Sequence, residues 1–151
     1  MSDPVVLDTN VVSELAKANP AAAVLRWLDA RDPAGLHLST VTVMELEYGL
    51  ARLPEGKRRD DLTAGVREAL ALFGPDRIWD FDREAAERCG QLLADQERRG
   101  RTMGLADAQI AAICLSRGFA LATRNTQDFT SVGLSLVDPW LAPPPTPADP
   151  V

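Results

Sequence analysis

Val5-Val6-Leu7-Asp8-Thr9-Asn10 is an apolar run of strand length that stops on an acid. Three β-branched or large aliphatic residues in a row, with no polar alternation, fit a strand buried on both faces, as in a parallel sheet. In an open α/β sheet, ligands bind beyond the carboxyl ends of the strands. Asp8 therefore stands where such a sheet would keep its site. An Asx turn through Asp8-Thr9-Asn10 is the structural alternative.

Working outward, short apolar strands alternate with helical patterns, the mark of βαβ units. Strands are expected at Val5–Asp8, Leu36–Ser39, Arg77–Phe81, Phe119–Thr123 and Leu134–Val137. Helices are expected at about 11–16, then after Asn19-Pro20, at 43–52, at 57–73, after Asp82, and at 105–117. Asn19 reads as an N-cap before a proline at the first helical position, with Val24, Leu25 and Leu28 inward. Leu62, Val66, Leu70 and Phe73 share one helical face, as do Ala85, Cys89, Leu92 and Gln96. Gly100 and Gly118 read as helix stops.

Three further acids fall at equivalent places. Asp107 lines up with Ile110, Ala111 and Cys114, on the face that should meet the sheet. An ionised carboxylate on a buried face is costly unless paired or metal-bound. Glu45 opens a helix, but Thr42-Val43-Met44-Glu45 also fits a capping box, and periodicity does not choose between Glu45 and Glu47. Asp128 follows the fourth strand, where Asn125 competes as the polar group nearest the strand end. Carboxylates gathered at one sheet edge repel one another, so they suit Mg²⁺ or Mn²⁺, hard ions that take oxygen ligands.

Bulk properties narrow the class. With 151 residues, 46% hydrophobic and 25% charged, the chain suits one domain with a substantial core. A net charge of −6 argues against a general nucleic-acid binder. Lys57-Arg58-Arg59 and Arg98-Arg99 with Arg101 read as solvated helix faces. Cys89 and Cys114 read as small core residues, and His37 is the single histidine, so a zinc cluster is not expected. No apolar run reaches the ~20 residues of a membrane span. Met1-Ser2-Asp3-Pro4 shows no basic leader, so a cytoplasmic chain is expected. Residues 1–141 are read as one domain, and the proline-rich stretch 142–151 as a disordered tail.

The motifs also resemble a known family. Asp8-Thr9-Asn10-Val11-Val12-Ser13-Glu14-Leu15, Ser39-Thr40-Val41-Thr42-Val43-Met44-Glu45-Leu46-Glu47-Tyr48-Gly49, Gly104-Leu105-Ala106-Asp107-Ala108-Gln109-Ile110-Ala111-Ala112 and Leu121-Ala122-Thr123-Arg124-Asn125-Thr126-Gln127-Asp128-Phe129 look like the four motifs of PIN-domain proteins. By pattern the chain is similar to VapC toxins, including their FitB-like branch. The resemblance selects Glu45 over Glu47. It implies a single-domain, three-layer α/β fold, with five parallel strands ordered 3-2-1-4-5 and helices on both faces. It implies a Mg²⁺- or Mn²⁺-dependent endoribonuclease, the toxin of a type II toxin–antitoxin pair. Asp8, Asp107 and Glu45 would hold the metal, with Asp128 or a neutral Asn125 completing the site. Thr9, Thr123 and Asn125 would place a ligand or phosphate. The implied partners are RNA, a VapB-type antitoxin and a second copy in a homodimer, without a membrane. The competing reading is a catalytically degenerate PIN module that binds RNA or protein. A haloacid-dehalogenase-type site needs an acid where Asn10 stands. A receiver domain needs a late lysine, and the only lysines are Lys17 and Lys57.

Overall fold

The first strand, β1 (Val5–Leu7), is the middle of the sheet, with all three residues at most 1% exposed. The computed structural model describes residues 3–141 and 143. After β1 come α1 (Thr9–Leu15), α2 (Ala22–Asp29), β2 (Leu36–Ser39), α3 (Thr40–Ala51) and α4 (Lys57–Leu70). Then follow β3 (Ile78–Trp79), α5 (Arg83–Arg98), α6 (Leu105–Arg117), β4 (Ala120–Ala122) and β5 (Leu136–Val137). All pairings are parallel, in the expected order β3-β2-β1-β4-β5. Register is set by Val5 opposite Leu36 on one side and Ala120 on the other.

Side chains alternate across the sheet, and each face has its own core. Val5, Leu7, Leu36 and Leu38 pack with Val11 and Val12 of α1, Val24 of α2, Leu46 and Leu50 of α3, and Val66 of α4. Val6 and Leu121 pack with Ala85 and Cys89 of α5, Ile110 and Cys114 of α6, and Phe129. The two thiols are thus core residues, and burial pushes both above the usual thiol range. Gly118 ends α6 with φ +71°, a left-handed conformation that favours glycine. Gly65 of α4 faces the end of α1, where a Cβ would press into the Ala16 carbonyl oxygen.

Several local expectations are corrected. Residue 19 caps no helix: α2 begins at Ala22, after Ala21, without a side-chain cap. Its inward face is Val24, Trp27 and Leu28, whereas Leu25 is 38% exposed. α3 starts three residues early, because Ser39 rather than Thr42 caps it: Ser39 Oγ accepts from Thr42 N at 3.1 Å. The capping-box reading of Glu45 therefore falls. The edge strands β3 and β5 shrink to two residues each, since each has only one neighbour. Asp82 does cap α5, accepting from Ala85 N at 2.9 Å. The basic clusters are solvated faces as expected, with Lys57 paired to Asp61 and Arg99 to Asp95. The proline-rich tail expected over 142–151 lies, except for Pro143, outside the described residues.

Candidate active site

Asp8 sits at the switch point between β1 and β4, where the chain leaves the sheet in opposite directions. It caps α1: its Oδ1 accepts from Thr9 N at 2.8 Å. Its Oδ2 accepts from Thr123 Oγ1 at 2.7 Å and from Asn10 Nδ2 at 3.4 Å. Burial pushes the Asp8 carboxyl above its usual range, the Thr123 and Thr9 donors pull it back, and the charges of Glu45 and Asp128 push it further up. Thr123 is wholly buried, so its hydroxyl has a fixed orientation. Asn10 ties the ends of β1 and β4 together, donating to Thr123 Oγ1 at 3.2 Å and accepting from Arg124 N at 3.3 Å.

A second hydroxyl chain holds Glu45. Ser39 Oγ stands 3.4 Å from Thr42 Oγ1, which stands 3.1 Å from Thr9 Oγ1. Thr9 Oγ1 donates to Glu45 Oε1 at 2.7 Å. Because α3 begins at Thr40, Glu45 lies in its second turn and faces α1. Glu47 points away and pairs with Arg67. Periodicity did not choose between the two glutamates; the geometry places Glu45, the one the family resemblance selects, on the cavity side.

Asp107 is the third residue of α6 and is half-buried. Burial first, then the charges of Asp8, Asp128 and Glu45, push its carboxyl from 3.8 up to about 6. Asp8, Glu45 and Asp107 line one open cavity of about 450 Å³, and Thr9 and Asn125 line it as well. Asn125 N donates to Thr123 Oγ1 at 3.1 Å, which holds this residue at the rim. Asp128 does not line the cavity. It is exposed on the turn Thr126–Phe129, and it acts on Asp8 and Asp107 through its charge.

The cavity has walls that the sequence reading did not single out. Asn10, Ser13, Glu14, Lys17, Arg124 and Trp140 also line it. Thr9 and Ser13 follow an i, i+4 spacing along α1, a polar stripe beside the buried Val11 and Val12, and Lys17 continues that spacing just past the helix end. That stripe was a usable signal. Glu14 is 6% exposed and pairs with Lys17 Nζ at 2.9 Å. Trp140 arrives from the turn after β5, and no local pattern marks it.

The donor set facing this cavity is carboxylate, hydroxyl and amide oxygen, without thiol or imidazole, which fits a hard divalent cation rather than zinc or copper. The acids share a cavity but are not a ready-made cage. Among the described residues, no three His, Cys, Asp or Glu side chains stand close enough to hold one ion. Asp8 and Glu45 are each taken up by their own hydroxyl donors.

A model of the PIN domain matches residues 5–133. A VapC ribonuclease, Y4jK, of Sinorhizobium fredii is 44% identical over 90% of this chain and 97% of its own length. The toxin FitB of Neisseria gonorrhoeae is 32% identical over 90% of this chain and 98% of its own. The crystal structure of FitAcB from Neisseria gonorrhoeae superposes with a TM-score of 0.81 at 33% identity, covering 91% of this chain and 99% of the other. The chain belongs to the PIN-domain family, in the group of VapC- and FitB-type proteins. PIN-domain ribonucleases are metal-dependent as a class. No helix among the described residues is long and apolar enough to cross a membrane.

Proposed function

We propose that the protein is the toxin of a type II toxin–antitoxin pair and an endoribonuclease dependent on Mg²⁺ or Mn²⁺. The observation that carries this reading is the convergence of Asp8, Glu45 and Asp107, from three separate elements, on one cavity at the carboxyl edge of the sheet. A VapC ribonuclease and a toxin among its relatives support it.

Asp8 and Asp107 would hold the ion, with Glu45 as a third ligand or acting through water. Such an ion supplies positive charge for the phosphate and lowers the pKa of a water. Thr123 and Asn10 fix Asp8, and Thr9 fixes Glu45, so the acids approach from set directions. Asn125 faces the substrate, and Asp128 tunes the site through its charge. In the reaction, water oxygen adds to phosphorus while the 3′-oxygen–phosphorus bond breaks. The products are a 5′-phosphate and a 3′-hydroxyl. A VapB-type antitoxin is the proposed inhibitor, a homodimer the proposed assembly, and the cytoplasm the proposed location.

A second reading, a PIN module that binds without cleaving, draws support from the lack, among the described residues, of three acids within reach of one ion. One assay separates the two. Labelled RNA is incubated with the protein in Mg²⁺, Mn²⁺ or chelator, with Asp8→Asn as the control. Cleavage that requires the ion and Asp8 supports the ribonuclease. Binding without cleavage under every condition supports the second reading and overturns the first.

A further inference from the structure

We infer that Arg124, held on the ring of Trp140, is a substrate-binding residue that grips a phosphate of the RNA strand at the mouth of the acidic cavity. The inference rests on the ribonuclease reading for its substrate, but it concerns a residue outside the acidic set.

An acidic pocket faces a difficulty with a polyanionic substrate, since its own charge repels the phosphates that must enter. Four carboxylates line the cavity, on Asp8, Glu14, Glu45 and Asp107, against two cations, on Lys17 and Arg124. The two cations differ. Lys17 is already committed to Glu14, with Nζ 2.9 Å from Oε2. Arg124 makes no ion pair among the described residues, and its side chain is exposed.

Its position is nevertheless defined. The Arg124 guanidinium carbon sits 5.0 Å from the centre of the Trp140 ring, within cation–π range. Trp140 is itself anchored: its N donates to Asp138 Oδ1 at 2.9 Å, and its side chain packs on the core beneath α1 and α2. The backbone of Arg124 is tied to Asn10 Oδ1 at 3.3 Å, and the preceding Thr123 holds Asp8. One short segment therefore fixes a carboxylate of the site and carries a cation on an aromatic support at its rim. A guanidinium supported by a ring still has N–H donors for two phosphate oxygens at once, because the ring takes none of them as an acceptor would.

The test uses Asp8→Asn as the parent, so that RNA stays intact, and a fluorescein-labelled single-stranded RNA of mixed sequence as the probe. Kd is measured against salt concentration. Arg124→Ala should weaken binding roughly tenfold at low salt and reduce the log–log salt slope by about 0.7, the value of one phosphate contact on a single strand. Arg124→Lys should restore the slope and part of the affinity. Trp140→Leu should weaken binding by roughly threefold, less than Arg124→Ala, because the charge remains and only its placement is lost. A purely structural role would lower the melting temperature without moving the salt slope. An unchanged Kd and slope in Arg124→Ala would overturn the inference while leaving wild-type cleavage, and so the ribonuclease reading, standing. The reverse outcome, a protein that fails to cleave yet loses RNA affinity with Arg124, overturns the ribonuclease and keeps the Arg124 contact.

Discussion

Charged residues behave in opposite ways in the cavity and on the outer faces of α4 and α5. On those helices, carboxylates meet cations at helical spacing: Lys57 with Asp61 at 2.7 Å, Arg83 with Glu87 at 3.1 Å. All four side chains are at least 63% exposed, so water does most of the work and each pair contributes little. In the cavity, apart from the Glu14–Lys17 pair, Asp8, Glu45 and Asp107 face one another. Burial and mutual repulsion raise Asp8 and Asp107, and hydroxyl donors rather than cations hold Asp8 and Glu45. The outer charges serve solvation, while the inner ones are kept at a cost to stability. Local strain of this kind is a usual mark of a functional site.

The comparison can be broken most directly at Asp8. Asp8→Asn should lower RNA cleavage by roughly a thousandfold or more while circular dichroism stays unchanged. Substantial activity in that variant would place the inner acids with the outer ones, as solvation only. Gly65→Ala probes stability with the acids untouched. The added methyl meets the Ala16 backbone carbonyl, which cannot swing aside, so the overpacking cost falls at about 2–3 kcal/mol and exceeds the helix-propensity gain of about 1. Urea denaturation should show a net loss of about 1–2 kcal/mol, with cleavage retained at low temperature. An unchanged midpoint would show that α4 can draw away from α1 without loss.

The Asp107 carboxyl supplies a pH test. Its folded-state value, about 6, lies above the ordinary 3.8, so folding favours the protonated acid. Its stabilising contribution is complete below about 3.8 and is lost as pH rises through about 6. The full shift corresponds to at most about 3 kcal/mol, and solvent around a half-buried group cuts this to about 1. In chelator, Asp107→Asn should therefore be the more stable protein at pH 8, with the advantage vanishing near pH 4. Equal stabilities at pH 8 would remove the claim that the acids repel. The smallest effect belongs to the outer faces. Arg83→Ala should move the melting temperature by less than ~2 °C. A larger drop would erase the contrast.

Much of this was legible beforehand, for identifiable reasons. Val5-Val6-Leu7 fitted an inner strand, and its terminal acid stood where such a sheet keeps its site. α6 was readable from Leu105 to its Gly118 stop, and the inward phase of Asp107 came with it. Edge features were less legible. β3 and β5 are two residues each, too short for a pattern, and α2 lies in a phase that exposes Leu25. The start of α3 was misplaced because Ser39 and Thr42 are both cap-forming residues, and the end of β2 at Ser39 chooses between them. Asp128 was expected as the fourth acid, with Asn125 as the neutral alternative, yet the turn Thr126–Phe129 buries Phe129 and leaves Asp128 outside the cavity that Asn125 lines.

Taken alone, the order of residues determined the alternation of strand and helix, the parallel sheet, and the placing of acids at strand ends and helix starts, because period and capping are properties of neighbours in the chain. The tertiary structure decided that Thr9 of α1 meets Glu45 of α3, that Glu47 meets Arg67 of α4, and that Trp140 lies beneath Arg124. Those choices depend on how helices are rotated and stacked against a shared core, and that rotation is a product of packing between residues far apart in sequence.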